Sequence, residues 1–165
     1  MLYLAHKSQE PTPELERPLT AADGYLFLGM PEEALDELSK IPHMQHAHPA
    51  VLRARIRILL HLRQWRRAER LSREGSRRYP DENEFMVQRA FALHQLEKGP
   101  EAIEVIRNAP EWIRRTGILQ YNLACYEAQL GDLGIARQCI RAAIEINASF
   151  KKNAKTDPDL QRLWN

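Results

Sequence analysis

The sequence is poor in cysteine, in glycine and in long apolar runs, and its charges nearly cancel. Each shortage removes a class of protein. Cys125 and Cys139 are the only cysteines, too few for a disulfide scaffold or a zinc cage of thiolates. The seven glycines are scattered and form no phosphate-cradling loop. The longest apolar runs, such as Ile58-Leu59-Leu60, fall far below the roughly 18 residues that a membrane span needs. Met1-Leu2-Tyr3-Leu4-Ala5-His6 offers neither a basic n-region nor an adequate h-region, so no signal peptide is expected. A reduced, cytoplasmic protein without a membrane partner is the expectation. Lys plus Arg is 24 against 22 for Asp plus Glu, and a net +2 selects no partner. What is present is 165 residues, 44% hydrophobic and 28% charged, which suits one domain or a short repeat array with a real core.

A 34-residue register runs through the chain. Ala34, Ala68, Ala102 and Ala136 are spaced by 34 residues without drift. Four residues after each come Leu38, Ser72, Ile106 and Ile140, and three further on Ile41, Gly75, Ala109 and Ala143. Leu28, Leu62, Leu96 and Leu130 precede the alanines by six, and Ala22, Ile56, Ala90 and Ala124 by twelve. Columns held in register across four blocks mark a repeat array. Each block reads as two amphipathic helices, broken at Gly29-Met30-Pro31, Arg63-Gln64-Trp65, Lys98-Gly99-Pro100 and Gly131-Asp132. The connections Pro42 to Pro49, Tyr79-Pro80-Asp81 and Ala109-Pro110 place proline at helix ends or first turns. No strand pattern appears, so the class is all-α. Neither helix of a block can bury its stripe alone, so blocks lean on their neighbours and the stack needs covers. Asp157-Pro158-Asp159-Leu160-Gln161-Arg162-Leu163-Trp164 reads as a short capping helix.

A 34-residue helix-turn-helix unit with an alanine, a large apolar residue four on and then a small residue resembles the tetratricopeptide repeat. The best match runs from Tyr121-Asn122-Leu123-Ala124 through Gly131-Asp132 to Ala136, Ile140 and Ala143; Ala68, Gly75 and Pro80 add the second block. Glu127 stands where an aromatic is usual, Ser72 replaces a large apolar residue, and only block two keeps the closing proline. The resemblance implies a right-handed α-solenoid of antiparallel helix pairs. It covers residues 15–148 in blocks 15–48, 49–82, 83–116 and 117–148, between an extended segment 1–14 and a capping segment 149–165.

Catalysis finds no candidate. Ser72 and Ser76 lie among arginines on a helix, and Cys125 has no evident base. No enzyme activity and no cofactor are expected. His43, His46 and His48 form a metal-like cluster without a Cys or Glu-x-x-His companion, and a polar connection is the plainer reading. Charge is segregated although its sum is small. Eight acids face Arg17 alone between Glu10 and Glu37, a net −7, while ten arginines face Glu69 and Glu74 between Arg53 and Arg78, a net +8. Arg63, Arg66, Arg70, Arg73 and Arg77 recur at steps of three and four, a stripe that suits a solvated face or an anionic polymer such as nucleic acid.

The resemblance also implies a function: a protein-interaction module, adaptor or scaffold, that holds a peptide or partner helix in a concave groove lined by the first helix of each pair. Residues four apart on those helices are Arg53, Arg57 and His61 in block two, Val87 and Phe91 with His94 in block three, and Tyr121, Asn122, Cys125 and Gln129 in block four. A groove cationic at one end and aromatic or amide-rich at the other suits an acidic, partly apolar peptide, the plainer alternative being that Asp23 neighbours Arg57 on the adjacent helix and the pair neutralises itself. Leu19, Asp23, Ala54, Glu84 and Gln88 do not form the Lys and Asn clamp with which some members grip a C-terminal carboxylate. A monomer or weak homo-oligomer is expected, with a protein or peptide as partner and nucleic acid as the alternative.

Overall fold

The computed structural model describes residues 11–164. The segment expected to be extended, 1–14, lies largely outside the described residues. Its last two residues already belong to α1 (Pro13–Phe27), which opens with proline in the first turn. Then come α2 (Pro31–Ser39), α3 (Pro49–His61), α4 (Trp65–Arg78), α5 (Asn83–Gln95), α6 (Gly99–Arg107), a four-residue α7 (Glu111–Arg114), α8 (Gly117–Leu130), α9 (Leu133–Ile146) and α10 (Phe150–Thr156). A 3-10 turn at His43–Gln45 fills the first inter-block connection, and a 3-10 helix, Pro158–Leu163, closes the described chain. No strand occurs among the described residues, so the fold is all-α. Two compact units divide between Gln88 and Arg89, with α5 running across the division.

In the first unit α1 packs on α2 and α3 on α4. Leu15, Ala22, Ala34, Leu38, Ile41, Val51, Ala54 and Ile58 form one core cluster there. In the second unit α8 packs on α9 and α6 on α8. The register explains these crossings. Ala22, Ile56, Ala90 and Ala124 are all fully buried, as are Ala34, Ala68, Ala102 and Ala136. Small side chains at matched positions let helix axes approach, and larger ones fill the margins. Ser72 fits its apolar column because its hydroxyl donates to the Ala68 carbonyl at 2.7 Å. Glu127, in the aromatic's place, is 4% exposed and receives Arg107 Nη2 on Oε1 at 2.7 Å. The leucine column marks turns rather than core, since Leu28 and Leu130 are exposed.

Within each block the break between helices repeats one backbone conformation. Gly29, Arg63, Glu97 and Gly131 are 34 residues apart, and all four have positive φ, at 74°, 54°, 60° and 92°. Two of the four carry the glycine that this left-handed geometry favours. The inter-block connections are built differently. Ala109-Pro110 leads into α7, which the apolar pattern does not announce because only Ile113 of its four residues is buried. The expected cap takes a tighter form: Asp157 accepts from the Asp159 amide at 3.0 Å and Pro158 opens a 3-10 helix rather than an α-helix. Leu160 and Leu163 are buried beneath it. The preceding α10 escapes a reading by apolar period, since Ala154 is its one buried residue.

Candidate functional site

In the first unit, Arg53 and Arg57 project from α3 one turn apart, and both are paired within the fold. Arg53 Nη1 donates to Glu82 Oε2 at 2.6 Å, and its Nε lies 3.5 Å from Glu84 Oε2. Arg57 donates to Asp23 of α1. His61 is exposed at the end of α3, and Val87 is half-buried on α5. The cationic stretch expected in block two is therefore neutralised by its own neighbours.

The arginine stripe lies elsewhere on the same unit. Arg66, Arg70, Arg73 and Arg77 are exposed on α4, with Arg63 in the turn before it. Arg70, Arg73, Glu74, Arg77 and Arg78 border a wide, shallow depression. Arg73 has Glu69 at 3.8 Å, too distant to neutralise it firmly. Burial, and then the charge of Arg67, lowers the pKa of Arg55, a sign of crowded cations.

The three histidines do not converge on a ligand position. His46 Nε2 sits 2.8 Å from the Ile41 carbonyl, and His48 Nδ1 accepts from the Ala50 amide as the N-cap of α3. His43 and His46 rings lie 5.2 Å apart, tilted. Burial, and then Arg53, pushes the His48 pKa down, so the neutral, accepting form is favoured.

In the second unit the structure brings four of the named residues together around the tail. Tyr121 Oη donates to Asp157 Oδ2 at 2.7 Å, and Cys125 Sγ lies 3.8 Å from the same oxygen. Gln129 Nε2 donates to Asp159 Oδ1 at 2.7 Å, and His94 Nε2 stands 3.4 Å from Asp159 Oδ2. His94 also stacks on Tyr126 at 4.4 Å, and Phe150 packs against Tyr121 at 5.2 Å. Tyr121, Cys125 and Gln129 project from α8 at one-turn spacing, so their side chains form one row. Asn122 is half-buried beside that row, and Phe91 is exposed on α5.

Asp157 and Asp159 are the functional candidates that sequence reasoning missed. Their spacing was visible in Asp157-Pro158-Asp159, but it reads as a helix start, and nothing local tells which helix receives the carboxylates. Cys125, Asp157 and Asp159 bring ligand atoms within 4.8 Å of one another. Those carboxylate oxygens already accept from Tyr121, Gln129 and a backbone amide. Burial and the two carboxylates drive the Cys125 pKa strongly up, which favours the protonated thiol. Tyr121 is pushed up in the same way, by burial and then by Asp157.

Several solved structures share this fold, two structures of MamA among them. MamA from Desulfovibrio magneticus RS-1, residues 41 to the end, aligns with a TM-score of 0.72 at 16% identity, covering 92% of this chain and 84% of its own. A MamA RS-1 double mutant aligns with the same TM-score, identity and coverage. No protein-family model matches the sequence, and neither does any curated protein. At 16% identity the likeness establishes the shared helical fold. Among the described residues, no helix is long and apolar enough to cross a membrane.

Proposed function

We propose that the chain is a non-enzymatic protein-interaction module whose α8 face, with His94 of α5, receives an acidic, partly apolar peptide. One observation carries the reading: the chain's own tail has that chemistry, and this face holds it. Tyr121 and Gln129 donate to the carboxylates of Asp157 and Asp159, while Leu160 is buried beside them. The tail thus behaves as an intramolecular stand-in for a partner segment that competes for the same side chains. Hydrogen bonds onto ionised acceptors give such recognition its strength and register.

The test uses the full chain, a labelled peptide with the sequence of residues 156–164, and fluorescence anisotropy. Replacing Asp157 and Asp159 together by Asn should free the face and tighten peptide binding by about tenfold. Adding Tyr121→Phe and Gln129→Ala to that variant should remove the gain. Binding that stays the same in all three proteins would mean that the face is a cap and nothing more.

A second reading rests on the exposed α4 arginines, which suit an anionic polymer. Nucleic acid bound steeply more weakly as salt rises, with further loss in Arg70→Glu, would support it. No binding even at low salt would end it.

A further inference from the structure

The second unit carries another surface with a different chemistry. A cleft of about 400 Å³ opens between α9, α10 and the end of the tail. Ile140, Ile144, Leu163 and Trp164 supply apolar lining. Arg137 and Arg141 border it from α9, and Lys151 and Lys155 from α10. Each pair spans one helical turn. Among the described residues no carboxylate lines the cleft, and no salt bridge engages any of the four cations. The nearby tail acids are held on α8 instead. Trp164 is 50% exposed, yet its ring is fixed, because Nε1 donates to the Ala154 carbonyl at 3.0 Å.

We propose that this cleft docks an acidic amphipathic helix of another protein. The partner lays an apolar stripe on Ile144 and Trp164, which stand over the buried Ile140 and Leu163, and turns carboxylates toward both cation pairs. Three observations select this occupant. Four cations without an ion-pair partner among the described residues are more than a single fatty carboxylate can satisfy. Their one-turn spacing on two elements matches acids repeated at i and i+4 along the borders of a helix. The aliphatic lining gives nothing to a phosphate backbone, which binds through charge and polar contacts alone. A concave cleft is likewise unsuited to a bilayer, which takes up protruding apolar side chains. Seating an apolar stripe there removes Trp164 and Ile144 from water and brings opposite charge to cations that otherwise repel one another. The cleft shares no lining side chain with the α8 face, so either proposal can fail alone.

The probe is a labelled synthetic helix of about four turns, with leucine along one stripe and glutamate on both borders. Its control is a scrambled peptide of equal composition. Anisotropy titrations on the full chain should saturate with the patterned helix and be at least about tenfold weaker with the scrambled one. Arg141→Glu with Lys155→Glu should abolish binding. Arg137→Gln with Lys151→Gln should weaken it several-fold and leave the circular dichroism unchanged; if the charge reversal disturbs folding, this neutral pair decides the outcome. Equal binding of both peptides, or binding indifferent to the deciding pair, would overturn the proposal. So would a cleft that ignores the peptide yet binds phosphatidylserine vesicles or an RNA oligonucleotide through these cations.

Discussion

Gly75 and Phe85 fit together because one of them has no side chain. A β-carbon at Gly75 would stand 2.5 Å from the Phe85 ring, and that ring is fully buried. Alanine in place of glycine normally stabilises a helix interior by about 1 kcal/mol. Here the forced displacement of a core ring should reverse the sign, so Gly75→Ala is expected to cost about 1–3 kcal/mol, read from the urea midpoint. A midpoint at or above the parent's would show that the ring yields freely. The register marks position 75 as small beside Ala109 and Ala143, but not how closely a ring approaches it. The thiols make a second prediction. Burial holds Cys139 up to about 11 from an ordinary 9.0, with Glu127 adding to the rise, and Cys125 is shifted in the same direction. Above pH 9.0 the unfolded chain therefore releases these protons while the folded chain keeps them. The thiols should leave stability unaffected below that value and lower it as pH climbs toward 11. Urea midpoints across this window should show the fall, and Cys139→Ala should flatten part of it; an unchanged slope in that variant would exclude the thiol as its source.

At the scale of the helix, position in the register predicts tolerance. Ala136 is fully buried on α9, which packs along the length of α8. Ala136→Leu should overpack that crossing and cost about 1–3 kcal/mol, whereas leucine at exposed Arg137 should leave stability within about 0.5 kcal/mol. Thermal melts of the two variants distinguish them, and equal melting points would refute the register. The long helices were legible because their packing demand recurs every 34 residues. The short ones were not, for a physical reason. Helices α7 and α10 bury one residue each, and an element with so small an apolar contribution leaves no period to detect. The tail was legible as a helix start but not as an occupant, because the partners of Asp157 and Asp159 lie some thirty residues upstream. Arg53 shows the same blindness in reverse, since Glu82 in the connection and Glu84 on α5 neutralise it, whereas the pairing of Arg57 with Asp23 was legible from their 34-residue spacing.

Over the whole chain, a backbone conformation recurs where the side chain does not. The residues at 29, 63, 97 and 131 share a left-handed turn, although their side chains are glycine, arginine, glutamate and glycine. At this turn the repeat is kept as a conformation rather than as a composition. That gives a rule for engineering. A consensus block assembled from this sequence should take its turn residue from the first and last copies, because Arg63 and Glu97 hold a geometry that costs a residue with a β-carbon about 1 kcal/mol or more. Arg63→Gly and Glu97→Gly should each raise stability by up to about 1 kcal/mol, after the entropy that glycine adds to the unfolded state. Their separation along the array should make the gains add. Calorimetric melts of the two single variants and the double would read this directly, and a loss in either single would show that its side chain contributes more than its turn costs. The block so obtained would be a spare part, fit to lengthen the array by one unit without redesigning its joints.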